Sequence, residues 1–227
     1  METTAFYSYK GGAGRTALCT DAASVLAKQG KRVVVLDLDL DSPGLHYRIP
    51  RSVHSRTGVV DLLRKIVDSD RSPIERPPRN LLLIPAGHAP YPEYWAALGE
   101  LRRLLRTSGS LLECVLELQA RIAEELSADC LLIDCPSGIS ELGGVATLLA
   151  DRVVCLTTGD QESTEGTVIA ISEMKSAPRL DSQRNLSIEV VLMNNEPDLA
   201  SAAETFGVPV SVPSVSPLGV KIGTASG

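Results

Sequence analysis

The chain has 227 residues, 44% of them hydrophobic and 22% charged, with a formal net charge of −6. That is enough apolar sequence for a full core in one compact domain spanning 1–227, and no apolar stretch approaches membrane-spanning length. Met1-Glu2-Thr3-Thr4 has no signal-peptide character, so the sequence predicts a soluble, cytoplasmic protein rather than a secreted or membrane-embedded one.

Reading in chain order, a β-branched and aromatic run from Thr3 to Tyr9 is followed by Lys10-Gly-Gly-Ala-Gly-Arg-Thr16 and then by an apolar helical pattern (Leu18, Ala22, Val25, Leu26). Strand, glycine-rich turn and helix start are the parts of a phosphate-binding loop, which aims backbone N–H groups and a helix dipole at one point. The loop nearly satisfies G-x-x-x-x-G-K-[ST], with Tyr9 in place of the first glycine and Arg15 in place of the lysine. Gly11, Gly12 and Gly14 let the backbone wrap phosphate oxygens, with Ala13 and Ala17 completing the nucleotide-binding run. Thr16 offers a hydroxyl to Mg²⁺, and Arg15 offers a cation to the β- and γ-phosphates. Arginine keeps the charge and changes its shape to a planar fork.

Val33 to Leu36 reads as a buried parallel strand, and it ends in Asp37, Asp39 and Asp41 before a turn at Ser42-Pro43-Gly44. The stretch after it is basic: residues 46–110 hold 11 Lys/Arg against 6 Asp/Glu. Prolines and serines around 69–79 suggest an exposed segment there. A solvated face is the first reading, and an acidic partner or nucleic acid the second. Leu81 to Ile84 is the next strand. Tyr91, Tyr94 and Trp95 then open a helix that continues through Leu98, Leu101 and Leu105, and core packing is their expected role. Cys130 to Ile133 is another buried-type strand. It ends in Asp134 and Cys135-Pro136-Ser137-Gly138, the arrangement in which a strand-end carboxylate supports Mg²⁺ opposite the loop hydroxyl.

Val153 to Thr157, Ile188 to Met193 and Val208 to Val212 complete the strands. Their alternation with helical patterns predicts an α/β fold, a mostly parallel sheet with helices on both faces and one site at the strand C-termini. Asn194 and Asn195 stand after one of these strands, either as a turn pair or as an adenine-reading amide. Pro209 and Pro213 bracket the last strand, and the loop at 214–217, with Pro213, is placed beside the base or ribose. Five cysteines without a C-x-x-C pair read as reduced core thiols, with Cys135 the one candidate for redox sensing or a shared metal. His46, His54 and His88 are too scattered for a metal cluster.

Lys10-Gly11-Gly12-x-Gly14, followed by a basic residue and Thr16, resembles the deviant Walker A motif of the ParA/MinD-type (SIMIBI class) P-loop ATPases. The arginine form, KGGxGR, resembles a less studied bacterial subgroup. The likeness continues through residues 37–46, 57–63, 84–87 and 132–138, and covers most of the chain from 3 to about 215. It implies a three-layer fold, ATP and Mg²⁺ as cofactors, slow hydrolysis and an ATP-dependent homodimer. In such a dimer Lys10 reaches the partner's nucleotide, Asp39 in switch I orients the attacking water, and Asp37 lies near Mg²⁺. Asn194 or Asn195 is the implied base contact. The output implied is docking of an unidentified partner protein, for the subgroup within bacterial signalling or defence systems. The alternatives are an ATP-binding adaptor with little hydrolysis, ParA/MinD-like spatial positioning, and an ATP-using synthetase, which Lys10 opposes. The residues after Pro217 carry no amphipathic helix, which argues against membrane targeting through that end. They leave open a trimmed chain or the ATPase module of a larger system.

Overall fold

A computed structural model describes residues 1–75, 79–87, 92–108, 110–178, 185–193, 204–216 and 219–225. Its strands are β1 (Glu2–Ser8), β2 (Val33–Asp37), β3 (Leu81–Ile84), β4 (Cys130–Asp134), β5 (Arg152–Thr157), β6 (Ser187–Leu192), β7 (Val210–Ser216) and β8 (Gly219–Ala225). They form one sheet in the order β3-β2-β4-β1-β5-β6-β7-β8, parallel throughout except for the last pair. The helices are α1 (Arg15–Lys28), α2 (Leu45–Arg48), α3 (Val59–Val67), α4 (Pro92–Ser108), α5 (Leu111–Leu126), α6 (Glu141–Leu149) and α7 (Gln161–Ser176).

Period two sorts the strand residues onto two faces. Ala5, Tyr7, Val34, Leu36, Leu131, Ile133, Val153 and Cys155 pack toward the larger core, built with α3 to α7. Phe6, Val33, Val35, Leu132, Val154 and Leu156 face the smaller core under α1 and α2. Because both faces are covered, β2 and β4 are apolar at every position up to a terminal aspartate, Asp37 or Asp134. Those two aspartates stand opposite each other in register, at the strand ends where the sheet meets the loop after β1. Serine or aspartate caps open three helices: Ser110 accepts from the Glu113 N–H, Ser140 from Gly143 and Asp160 from Ser163.

Three expectations are corrected. The last parallel strand does not stop at Pro213. β7 runs to Ser216 and pairs with β8, so residues 214–216 are strand and not loop. Beyond Ser211 the pairing with β6 has ended, and a strand unpaired on one side tolerates a residue with no N–H. The stretch after α3 is not wholly exposed either. Ile74 is buried, its N–H donates to Glu125 Oε2 at 2.7 Å, and Arg121 Nη2 donates to the Ser72 carbonyl at 2.6 Å. Finally, the aromatic cluster divides. Tyr94 is core and donates its hydroxyl to the Leu40 carbonyl at 2.6 Å, whereas Trp95 is 49% exposed. Tyr91 and His88 lie outside the described residues.

Candidate functional site: a phosphate loop facing three carboxylates

After β1 the chain turns through Gly12 and Gly14, both at φ +82°, where a side chain would be strained. Gly14 is also the N-cap of α1, with no side-chain cap and no acidic residue in the first turn. The helix N-terminus therefore keeps its N–H groups and its positive end available to an anion. Tyr9, in the position of the missing first glycine, finds its reason on α7. A methyl at Gly166 would fall 2.1 Å from Tyr9 Cδ1, so the ring lies directly on helix backbone. Gly166→Ala should accordingly lower unfolding free energy by about 1–3 kcal/mol, the usual cost of overpacking, measurable by urea denaturation.

Facing the loop are the carboxylates of two strand ends and the turn between them. Asp37 is fully buried and accepts N–H groups from Asp39 at 3.2 Å and Leu45 at 3.4 Å. Burial, with Asp134 and Asp39 nearby, pushes its carboxyl well above the usual range. Asp39 is also raised by burial, against the pull of Arg15. The Arg15 guanidinium is 8% exposed and donates from Nε to Asp134 Oδ1 at 2.7 Å, from Nη2 to Asp39 Oδ2 at 2.8 Å and from Nη1 to Ser8 Oγ at 3.4 Å. The second oxygen of Asp134, Oδ2, is buried with no hydrogen-bond partner among the described residues. Asp41 is not part of the cluster. The strand ends at Asp37, and Asp41 turns outward to Arg102 Nη2 at 2.7 Å.

Lys10 reaches none of these groups. Its ammonium lies 2.7 Å from Glu162 Oε2 and 3.5 Å from Asp160 Oδ1, at the start of α7. The loop after β4 closes over the turn, with the Gly138 N–H donating to the Ser8 carbonyl at 3.0 Å. Ser137 Oγ lies 3.8 Å from where a Cβ on Gly11 would be, and Thr16 Cγ2 lies 4.0 Å from where a Cβ on Gly44 would be. The loops after β2 and β4 thus both run close to the glycine turn and the start of α1. Cys135 is fully buried and burial raises its thiol pKa, so it is a core thiol and unsuited to redox sensing. All five cysteines are free. Asn194 and Asn195 lie outside the described residues, but Met193, just before them, places its Cε 3.4 Å from a Cβ position on Gly14. Pro213 lies within β7.

Four residues of this site carry no motif of their own: Ser8, Asp160, Glu162 and Gly166. Asp160 has the signature of a helix cap, which identifies its local role and not its contact with Lys10.

Residues 1–188 match the family model described as AAA domain. The chain belongs to that family. Over 150 residues this AAA-domain chain is 31% identical to an uncharacterized ATP-binding protein of Methanocaldococcus jannaschii, covering 66% of the chain and 50% of that relative. The chain thus spans about half the length of the curated relative it matches. Its fold matches a ParA family ATPase from Chlorobium tepidum with a TM-score of 0.67 at 18% identity, covering 93% of this chain and 82% of the other. It also matches the septum site-determining protein MinD of Pyrococcus horikoshii, solved with Mg-ADP, at TM-score 0.63 and 17% identity over 93% and 80%. The chain thus has the three-layer α/β fold seen in those ParA and MinD structures. No helix among the described residues is long and apolar enough to cross a membrane.

Among the described residues no group of three or more His, Cys, Asp or Glu is arranged to hold a metal ion by itself. The oxygens present nevertheless suit Mg²⁺, which takes one or two carboxylates and completes its shell with water and phosphate. The buried Oδ2 of Asp134 is a hard oxygen with no donor among the described residues, and Asp37 stands beside it in register.

Proposed function

We propose that the chain is a Mg²⁺-dependent, ATP-binding and slowly hydrolysing P-loop ATPase that acts as a nucleotide-gated dimerisation switch for a partner protein. The observation that carries this reading is the N-terminus of α1, without a side-chain cap, facing Asp37 and Asp134 at adjoining strand ends and Asp39 on the turn after β2. A polyphosphate suits the helix end, and a divalent cation between phosphate and carboxylates suits the buried acids. Thr16, Asp37 and Asp134 would hold Mg²⁺, which supplies charge neutralisation on the transferred phosphoryl group. Asp39, on the turn after β2 that Arg15 bonds through Nη2, would orient water. Loss of the γ-phosphate would release both switch segments.

Two measurements test the nucleotide assignment. Calorimetry should give tighter binding for ATP than for GTP, and equal affinities would remove the adenine contact assigned to Asn194 or Asn195. Thr16→Ala should cost affinity in Mg²⁺ at least several-fold more than in EDTA. For the chemistry, Asp39→Ala should keep ATP binding and lose phosphate release by roughly 10²-fold or more, the range for a residue that positions or activates the nucleophile. Unchanged turnover would withdraw the water-positioning role.

The fold matches favour a second reading, ParA/MinD-like spatial positioning of DNA or protein cargo. It predicts ATP-dependent retention on DNA or on a cargo protein. A filter-binding assay with ATP, in which the basic residues of 46–80 are the candidate contact, separates it from a switch that engages a protein alone. An ATP-binding adaptor remains the reading if ATP binds and phosphate release stays at background with every partner tried.

A further inference from the structure

Between α6 and α7 lies a cavity of about 210 Å³, bordered by the loop after β4 and lined by none of the three carboxylates of the phosphate site. Its wall is apolar. Leu148 of α6 faces Ala170, Met174 and Ala177 of α7 across it, and Gly143 and Gly144 contribute bare helix backbone. A Cβ on Gly144 would meet nothing within 4 Å, so open space borders that residue. Two of the polar side chains around the cavity are already engaged: Ser140 Oγ accepts the Gly143 N–H at 3.1 Å, and the Thr147 hydroxyl donates to the Gly144 carbonyl at 2.9 Å. Ile139 and Glu173 are exposed and mark the mouth. Tyr7 differs from all of these. It is 3% exposed, it lines the cavity, and its hydroxyl has no hydrogen-bond partner among the described residues. A Cβ on Gly143 would lie 3.9 Å from Tyr7 Cε2, next to the ring carbon that bears the hydroxyl, which sets that end of the ring against the glycine wall. Burial, with Cys155 and Cys135 nearby, pushes the phenol up to about 12, so it stays a donor. Buried hydroxyls are costly when unmet, and a donor inside an apolar cavity calls for an acceptor from outside the chain.

We infer that this cavity is a binding site for a small, uncharged, ring-sized molecule with one hydrogen-bond acceptor, to which the Tyr7 hydroxyl donates. Size sets the scale. A cavity of roughly 150 Å³ holds a benzene ring, so this one admits a ring with a carbonyl substituent. Charge narrows the class: among the described residues no Lys, Arg or His lines the cavity while Glu173 does, so an anion would lose its hydration with no cation to meet it. A cation would meet Glu173 only at the open mouth and leave Tyr7 unmet. The placement also joins the cavity to the glycine turn. Tyr7 precedes Ser8, whose carbonyl accepts the Gly138 N–H at 3.0 Å, and residues 138–140 form one side of the cavity. A ligand seated there braces the loop after β4 against β1. Any effect on ATP turnover rests on the function proposed above, whereas the binding itself does not.

The test is a titration of nucleotide-free protein with acetophenone, read by methyl NMR, beside ethylbenzene, which lacks the acceptor, and benzoate, which adds a negative charge. Acetophenone should shift the methyls of Leu148, Ala170 and Met174 along a saturating curve, and benzoate at the same concentrations should leave them in place. Tyr7→Phe should weaken acetophenone by about 3–10-fold, the worth of one neutral hydrogen bond, and change ethylbenzene by less than about twofold. Its melting temperature should not fall, because no bond within the protein is lost. Gly144→Leu, which puts a side chain into the open space, should weaken both compounds by roughly tenfold or more while the fold is kept, since leucine suits a helix better than glycine. Shifts that are scattered over the molecule or do not saturate overturn the site. So does binding that survives Gly144→Leu, or a Tyr7→Phe variant that melts lower and binds acetophenone as wild type does, which would assign the hydroxyl to the fold. Since no nucleotide is present in these titrations, a protein that fails to bind ATP defeats the proposed function and leaves this result to stand or fall alone.

Discussion

Replacing Asp37 with asparagine should raise the stability of the nucleotide-free, metal-free protein at pH 7.5 by about 1–3 kcal/mol, the scale for burying an imperfectly satisfied polar group. At roughly 2–4 °C per kcal/mol for a chain of this size, the melting temperature should rise by several degrees. The carboxyl is fully buried, and Asp134 and Asp39 face it. Arg15, the one cation bonded into the cluster among the described residues, bonds those two and not Asp37. Two backbone N–H bonds at 3.2 and 3.4 Å are weak compensation for an ion in that position. Burial therefore raises its folded pKa above the unfolded value, so the folded state binds the proton more tightly than the unfolded one. The stability this group contributes is fully present below the ordinary carboxylate range and is lost as pH rises through the raised folded pKa. Asparagine is neutral at every pH, and its carbonyl oxygen can keep the stronger of the two bonds, from the Asp39 N–H, while the bond from Leu45, which Asp37 takes on its other oxygen, is given up. Thermal melts from pH 4 to 9 in EDTA should show the variant's advantage growing toward alkaline pH, with a flatter profile than wild type. A variant that melts lower at every pH would mean that the ionised carboxylate stabilises the fold. The same substitution should weaken Mg²⁺-dependent nucleotide binding, since a neutral amide is a poorer ligand for a hard cation.

The parallel sheet, the glycine loop and the acidic strand ends are legible in sequence because each is a local pattern. A run such as Val33 to Leu36 ending in Asp37 specifies a buried strand with a carboxylate at its C-terminal edge. What the residues do to one another is not local. Arg15 and Asp134 are 119 positions apart, and Lys10 and Asp160 are 150 apart, so no spacing rule joins them. The Tyr9 substitution looks like a damaged motif until Gly166 supplies the bare helix surface on which the ring rests. Composition misleads around 69–79, where serines and prolines read as exposed while Arg121 and Glu125 of α5 hold Ser72 and Ile74 down. Proline likewise suggested an end to β7 that the unpaired edge does not require. Tyr94 and Trp95 are adjacent on a helix and hence point about 100° apart, which puts one in the core and the other in solvent.

Lys10→Ala should leave ADP and ATP binding by the monomer nearly intact and abolish ATP-dependent dimerisation, the largest functional loss expected of any single substitution in the loop. The residue is placed for such a role by being weakly held. Its ammonium is 40% exposed, against Glu162 at 2.7 Å and Asp160 at 3.5 Å, both also exposed. Exposed pairs of this kind are screened by water and salt and hold the side chain only weakly. A charge-assisted contact to phosphate, made in a site from which the partner protomer excludes water, is worth about 1.5–3 kcal/mol, enough to draw Lys10 away from α7. Glu162→Gln should then loosen the resting position and favour the dimer at lower ATP concentration, while Asp160, which also caps α7, is the less informative residue to change. Light scattering with ADP and with a non-hydrolysable ATP analogue reads both effects. Wild type should double in mass with the analogue alone, Lys10→Ala should remain monomeric, and Glu162→Gln should dimerise more readily than wild type. If wild-type protein stays monomeric with the analogue at concentrations well above its nucleotide affinity, Lys10 has no second nucleotide to reach, and the adaptor reading replaces the switch.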